Sequence, residues 1–420
     1  MSTAAPDVPP AHDDRKIVLH SGSAIAVIVC WLFVVFDGYD LIVYGNVISS
    51  LQKEWGISSS TAGTLGSLAF VGMMLGAVLA GRLSDAIGRK QAVIGCLIVL
   101  SVFTMACSFA TGPAMFGTMR LIAGLGLGGL VPTSNALAAE LVPARWRAAV
   151  ATMMMSGVPI GGSIAALIGI PVIPNWGWRP MFLFAVVPLV VLVPLALKYL
   201  PSSTPAENAP ATDASGFRAL LGSRFRAISI MFALATMVTL LAWYGLGTWL
   251  PKLMQNTGTD LGSALTFALA LNLGAVAGSF VTAWGGVRFG TIPTSIVAAL
   301  VAGLALLALL LSPPTAVVYL IFVLAGVGTH GTQCLIIAAV ASYYPDHLRG
   351  TALGWALGVG RVGAVAAPQI GGWLLAAGLG AHSNFLLFAL SALIASLLLT
   401  VVWKRFPASD DAPRSPVMAH

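Results

Sequence analysis

Two carboxylates stand close together in an apolar run near the start of the chain, in Phe36-Asp37-Gly38-Tyr39-Asp40-Leu41. Residues three apart on a helix share a face, so Asp37 and Asp40 can look into one cavity, and Tyr44 continues that face. Neighbouring carboxylates in a low dielectric repel each other when both are ionised, which makes the pair a candidate for binding a proton. Arg120, Glu140, His330 and Arg361 are further ionisable groups within or at the edge of apolar runs. An ionised side chain inside a bilayer costs about 2.5–3.5 kcal/mol on insertion scales, so each needs a partner, a proton or water. A histidine in such a place can donate a hydrogen bond or carry a proton, because it titrates near neutrality.

The elements that must position these groups are membrane spans. Of 420 residues, 58% are hydrophobic and 8% charged, against roughly 25% charged in soluble domains. The apolar residues come in blocks of about 20, the length a helix needs to cross a bilayer. Twelve spans are predicted, over 22–48, 62–81, 91–110, 113–139, 148–172, 180–199, 227–250, 262–285, 291–311, 315–342, 351–376 and 383–403. The first block is too long for the apolar core of a signal peptide and is expected to remain as a span. The polar stretch 200–226, rich in Pro, Ala and Ser, divides the spans six and six. The expected organisation is an N-terminal tail (1–21), a six-helix bundle (22–199), a linker (200–226), a second six-helix bundle (227–404) and a C-terminal tail (405–420). The fold class is thus an all-α integral membrane protein of twelve transmembrane helices in two bundles, with a ligand site at mid-depth between them.

With both termini in the cytoplasm, most of the 21 lysines and arginines fall in cytoplasmic segments, and the outer loops hold only Lys53, Arg179 and Lys252. That is the positive-inside pattern, and it accounts for the net charge of +7 without nucleic acid. Asp37, His330 and Arg361 then come to similar depth in spans 1, 10 and 11. Arg120 lies nearer the outer side of span 4, and Glu140 at its cytoplasmic end. The four cysteines, Cys30, Cys96, Cys107 and Cys334, sit in apolar blocks with the spacing of neither a disulfide framework nor a metal site. No nucleophile–base pair, nucleotide loop or metal-ligand spacing appears, so no enzyme, cofactor or metal is expected.

Four motifs add a resemblance. Gly81-Arg82-Leu83-Ser84-Asp85-Ala86-Ile87-Gly88-Arg89-Lys90, between spans 2 and 3, resembles the major facilitator signature GxxxD(R/K)xGR(R/K). Arg120 with Gly124, Gly126 and Gly128 resembles that superfamily's RxxxGxGxG pattern, common in proton-coupled members. Gly157-Val158-Pro159-Ile160-Gly161-Gly162 is similar, more weakly, to a helix-5 glycine–proline motif. The second half lacks a clean copy of the loop signature, since Gly285-Gly286-Val287-Arg288-Phe289-Gly290 has no acid. Asp37-Gly38-Tyr39-Asp40 resembles the DGxD signature of the aromatic acid:proton symporter family. The segments 243–251, 328–331 and 360–363 are similar to the same family.

The resemblance implies the major facilitator fold and proton-coupled import of benzoate, hydroxybenzoates or similar acids by alternating access. It implies a bacterial inner membrane location and no cofactor, and a monomer is expected. Gly81, Asp85, Gly88, Arg89 and Lys90 would form a latch on the cytoplasmic face. An aromatic acid is an anion, and a guanidinium grips a carboxylate with two parallel bonds, so Arg361 would hold the substrate. His330 and Tyr44 would assist in binding it, and Asn272 and Gln333 would read ring hydroxyls. Asp37 and Asp40 would take the proton. Arg120 has a structural or a coupling role, and Glu140 belongs to the latch region. The competing readings are a proton-coupled efflux antiporter of the same superfamily and, more remotely, an aromatic-acid sensor.

Overall fold

The computed structural model describes residues 21–201, 218–222 and 225–406. These residues form long helices and no strand. In chain order they are α1 (Ser21–Trp55), α2 (Ser59–Ile87), α3 (Arg89–Cys107), α4 (Pro113–Glu140), α5 (Ala144–Trp176), α6 (Arg179–Tyr199), α7 (Arg226–Asn256), α8 (Leu261–Phe289), α9 (Thr291–Leu311), α10 (Thr315–Tyr343), α11 (Asp346–Ala376) and α12 (Gly380–Arg405). Eleven of them are long and apolar enough to cross a membrane. The exception is α11, whose sequence carries Arg349, Arg361, Gln369 and frequent glycines.

The helices match the expected spans in order and differ at their ends. α1 continues to Trp55 rather than stopping at 48, and α11 begins at 346 rather than 351. Hydropathy senses only the hydrocarbon core, whereas a helix runs on through the interface until a cap or a glycine stops it. α3 stops at Cys107, short of the expected 110, because the chain turns at Ser108 and Phe109. The expected tails and most of the linker lie outside the described residues.

The two halves repeat one plan. Ser58 caps α2 by accepting from the Thr61 N–H at 3.1 Å, and Asp260 caps α8 by accepting from the Ser263 N–H at 3.0 Å. α2 turns into α3 at Gly88 (φ 89°, ψ 154°), and α8 turns into α9 at Gly290 (φ 95°, ψ 150°). That backbone region is essentially reserved for glycine. Within each half, helices pack as α1–α5, α2–α4 and α3–α4, and as α7–α11, α8–α10 and α9–α10. The halves meet along α2–α11, α5–α8 and α1–α7. The first two are the same contact with the halves exchanged, as a two-fold relation between repeats requires.

Glycines set the close approaches that carry Arg120 and the aspartates inward. Gly124 and Gly128 press α4 on the α2 backbone, while Gly126 and Gly129 press it on α3 at Cys96 and Leu100. Gly38 and Gly161 bring α1 and α5 together so tightly that a Cβ at either would strike backbone.

The halves are closed at one end and open at the other. At the end with the α1–α2 loop, Thr64 Oγ1 donates to Gln369 Oε1 at 2.8 Å and Ser67 Oγ to the Val365 carbonyl at 2.6 Å. A Cβ at Gly63 would lie 2.6 Å from the Pro368 carbonyl oxygen. Towards the α2–α3 loop, the same face of α11 continues through Gly358, Gly354 and Gly350. These glycines are exposed, and a Cβ on any of them would meet nothing within 4 Å. On α2, Val78 is 59% exposed and Gly81 is also free of neighbours. A crevice between the bundles therefore opens towards the α2–α3 loop.

Candidate functional site

The two aspartates of α1 have separate surroundings. Asp40 is fully buried in the first bundle, where Arg120 Nη1 donates to its Oδ2 at 2.8 Å and Thr104 Oγ1 to its Oδ1 at 2.5 Å. Arg120 Nη2 also donates to the Asp40 carbonyl at 3.3 Å. Both charged partners are enclosed, at 0% and 1% exposure, so the charges cancel inside a dry site. Tyr44 belongs to this network and not to the crevice. Its hydroxyl donates to the Ala62 carbonyl at 2.5 Å, and the Arg120 guanidinium lies 5.8 Å from its ring centre. Arg120 therefore stands level with Asp40 in the packed bundle. A step of three residues turns about 300° around a helix, so side chains that share a face still diverge by about 60°.

Asp37 is also buried, but its Oδ1 has no hydrogen-bond partner among the described residues. It lies within electrostatic reach of Asp40 on its own helix and of Arg361 on α11. Tyr244 of α7 lies within electrostatic reach of both Asp37 and Arg361. Arg361 reaches out of the second bundle, and its Nη1 donates to the Met73 carbonyl of α2 at 3.1 Å. That contact lies where the closed stretch of the α2–α11 interface gives way to the open one. Asp37, Tyr244 and Arg361 thus come from three helices and both bundles.

His330 of α10 also reaches across the boundary, its Nε2 standing 3.1 Å from the Met155 carbonyl of α5. The Trp243 ring packs on it with centres 5.1 Å apart. Gln333, one turn further on, is buried with Oε1 unpartnered. Asn272 lies at the α5–α8 crossing. Its amide donates to the Ala268 carbonyl at 2.8 Å, and its unpartnered Oδ1 is pressed against Gly162. Among the aromatic residues, Tyr244 packs on Phe70 and Trp355 donates to the Ser229 carbonyl at 3.1 Å, while Trp284 is on the outer surface.

The residues between α2 and α3 divide. Arg89 forms an ion pair with Glu140 at the end of α4. Lys90 donates to the carbonyls of Leu197 and Leu200 at 2.9 and 2.6 Å, tying α3 to the end of α6. Gly88 makes the turn, and Gly81 and Asp85 stand exposed on the open side of α2. Sequence reasoning missed Thr104 and the Met73 and Met155 carbonyls. A lone threonine in an apolar span carries no signal, and a backbone acceptor carries none at all.

Among the described residues no cluster of His, Cys, Asp and Glu can hold a metal ion. The sequence profile of the Major Facilitator Superfamily matches residues 30–368 and 273–418. The gentisate transporter of Corynebacterium glutamicum is 60% identical over 385 residues, covering 90% of this chain and 87% of its own. The benzoate transport protein of Acinetobacter baylyi is 32% identical over 442 residues, covering 96% and 94%. A D-xylose-proton symporter shares the fold with a TM-score of 0.76 at 18% identity, covering 91% of this chain and 98% of its own. The protein is accordingly a multi-pass membrane transporter and not an enzyme. The chain belongs to the Major Facilitator Superfamily and, within it, to the family of aromatic acid transporters that these relatives represent.

Proposed function

We propose that the protein imports an aromatic carboxylate together with a proton, across a bacterial inner membrane, with both termini in the cytoplasm. On that orientation the crevice described above opens inward and the α1–α2 end is sealed. The likeness to the gentisate and benzoate transporters supports an aromatic acid as the substrate class.

The observation that carries the coupling is the unequal pairing of the two aspartates. Asp40 already has a guanidinium and a hydroxyl on its carboxylate. Asp37 has no such bonds on Oδ1 and shares the field of Arg361 across the bundle boundary. Arg361 receives the substrate carboxylate, which places two anions against one half-buried cation. A proton on Asp37 removes the excess charge. Proton and anion thereby favour each other's binding, and by linkage each strengthens the other equally. Asp40 and Arg120 hold α1 against α3 and α4 and add a fixed charge pair behind Asp37. Asp40 remains the second candidate for the coupled proton.

The bundles rock about the midplane to present the site to either side. Gly81 and Asp85 would meet α11 when the inner end closes, while Gly88, Arg89, Lys90 and Glu140 keep α2, α3, α4 and α6 moving as one body. Proton-driven uptake of labelled gentisate and benzoate into vesicles, compared with counterflow exchange for Asp37→Asn, tests the reading. Loss of gradient-driven accumulation with exchange retained is expected. Accumulation at the wild-type level in Asp37→Asn would remove Asp37 from the coupling.

A further inference from the structure

The glycine–proline motif of α5 has no part in the mechanism described so far. Pro159 lies inside α5, where the residue at each position ordinarily donates its N–H to the carbonyl four residues earlier. Proline has no N–H, so the Met155 carbonyl loses its helical donor. That same carbonyl is the one His330 meets from α10, with Nε2 at 3.1 Å. A carbonyl partly shut off from water and without a partner is costly, and here the partner comes from the opposite bundle.

A carbonyl oxygen only accepts. The bond therefore requires the proton on Nε2, and in the neutral imidazole that leaves Nδ1 as an acceptor. Trp243, packed against the ring at 5.1 Å, limits how the imidazole can turn. The group that satisfies Nδ1 must carry a donor, and a phenolic hydroxyl is such a group where an unsubstituted ring is not. A site built to bond a substrate hydroxyl rejects the analogue lacking it.

We propose that Pro159 is a positioning residue: by vacating the Met155 carbonyl it fixes His330 as the Nε2–H tautomer, so that Nδ1 accepts a hydrogen bond from a ring hydroxyl of the substrate. The inference rests on the aromatic-acid reading and refines it from aromatic carboxylates in general to hydroxylated ones.

The test is a pair of uptake affinities, for gentisate with two ring hydroxyls and benzoate with none, measured in the wild type, Pro159→Ala, Pro159→Gly, His330→Phe and His330→Gln. The wild type prefers gentisate. Either Pro159 variant returns an N–H to the Met155 carbonyl and lowers the preference by about 3- to 10-fold, the span of one net hydrogen bond. His330→Phe lowers it at least as far, and Pro159→Ala added to His330→Phe lowers it no further. His330→Gln, whose amide supplies both a donor and an acceptor, keeps part of it. A preference that survives in both Pro159 variants, effects of Pro159→Ala and His330→Phe that simply add, or equal loss of gentisate and benzoate uptake in the Pro159 variants would overturn the inference. So would a wild type indifferent to the hydroxyls, which leaves the aromatic-acid reading intact. Failure of the wild type to take up either acid removes the aromatic-acid reading itself.

Discussion

At the scale of residues, the two aspartates of α1 differ in whether they are already paired. Removing one partner of a buried pair leaves the other charged and dry, at a cost of about 3–5 kcal/mol. Asp40→Ala is therefore expected to lower thermal stability in detergent, and the double change Asp40→Leu with Arg120→Met to recover much of it. An Asp40→Ala protein as stable as the wild type would contradict the enclosed pair. At Arg361, a lysine keeps the charge and loses the paired bonds to a carboxylate. Arg361→Lys should raise the KM for substrate by about tenfold, while Arg361→Ala abolishes specific binding; a normal KM in Arg361→Ala would place the carboxylate elsewhere. The candidates themselves were legible because charges are so rare in these spans. Their division was not. The i, i+3 rule put Asp37, Asp40 and Tyr44 on one face, and it says nothing about where that face points once α3 and α4 supply Thr104 and Arg120.

At the scale of elements, twelve helices and their order follow from apolar block lengths, while the contacts between them do not. The Arg89–Glu140 pair and the Lys90 bonds to α6 link residues far apart in the chain, and the loop signature gives no hint of either. The glycines have readable consequences once their neighbours are known. Gly88 occupies a backbone region that other residues enter at a cost of order 1–3 kcal/mol. Gly88→Ala should destabilise the first bundle by about that amount in thermal unfolding, and an unchanged melting temperature would show that the α2–α3 turn is not held there. Gly358 has open space in this state and lies on the face that α2 covers further along α11. Gly358→Leu should leave equilibrium substrate binding intact and slow transport, since an overpacked interface costs about 1–3 kcal/mol when the open end closes. Transport at the wild-type rate would mean that this stretch of α11 stays apart from α2 throughout the cycle.

At the scale of the whole molecule, one proton with one monovalent anion moves no net charge. The driving force is then the pH gradient, about 1.4 kcal/mol per pH unit, which supports roughly tenfold accumulation. A second proton would add one charge and about 2.3 kcal/mol per 100 mV of membrane potential. The unequal pairing favours the first case, because Asp40 already has Arg120 as its partner and Asp37 Oδ1 has none among the described residues. The most direct measurement is uptake of labelled gentisate into vesicles of reconstituted protein, with the pH gradient and the membrane potential imposed separately. Accumulation of about tenfold per unit of inward proton gradient, unmoved by potential and abolished by a protonophore, is the predicted result. Accumulation that ignores the pH gradient, or extrusion of gentisate against it, would contradict proton-coupled import.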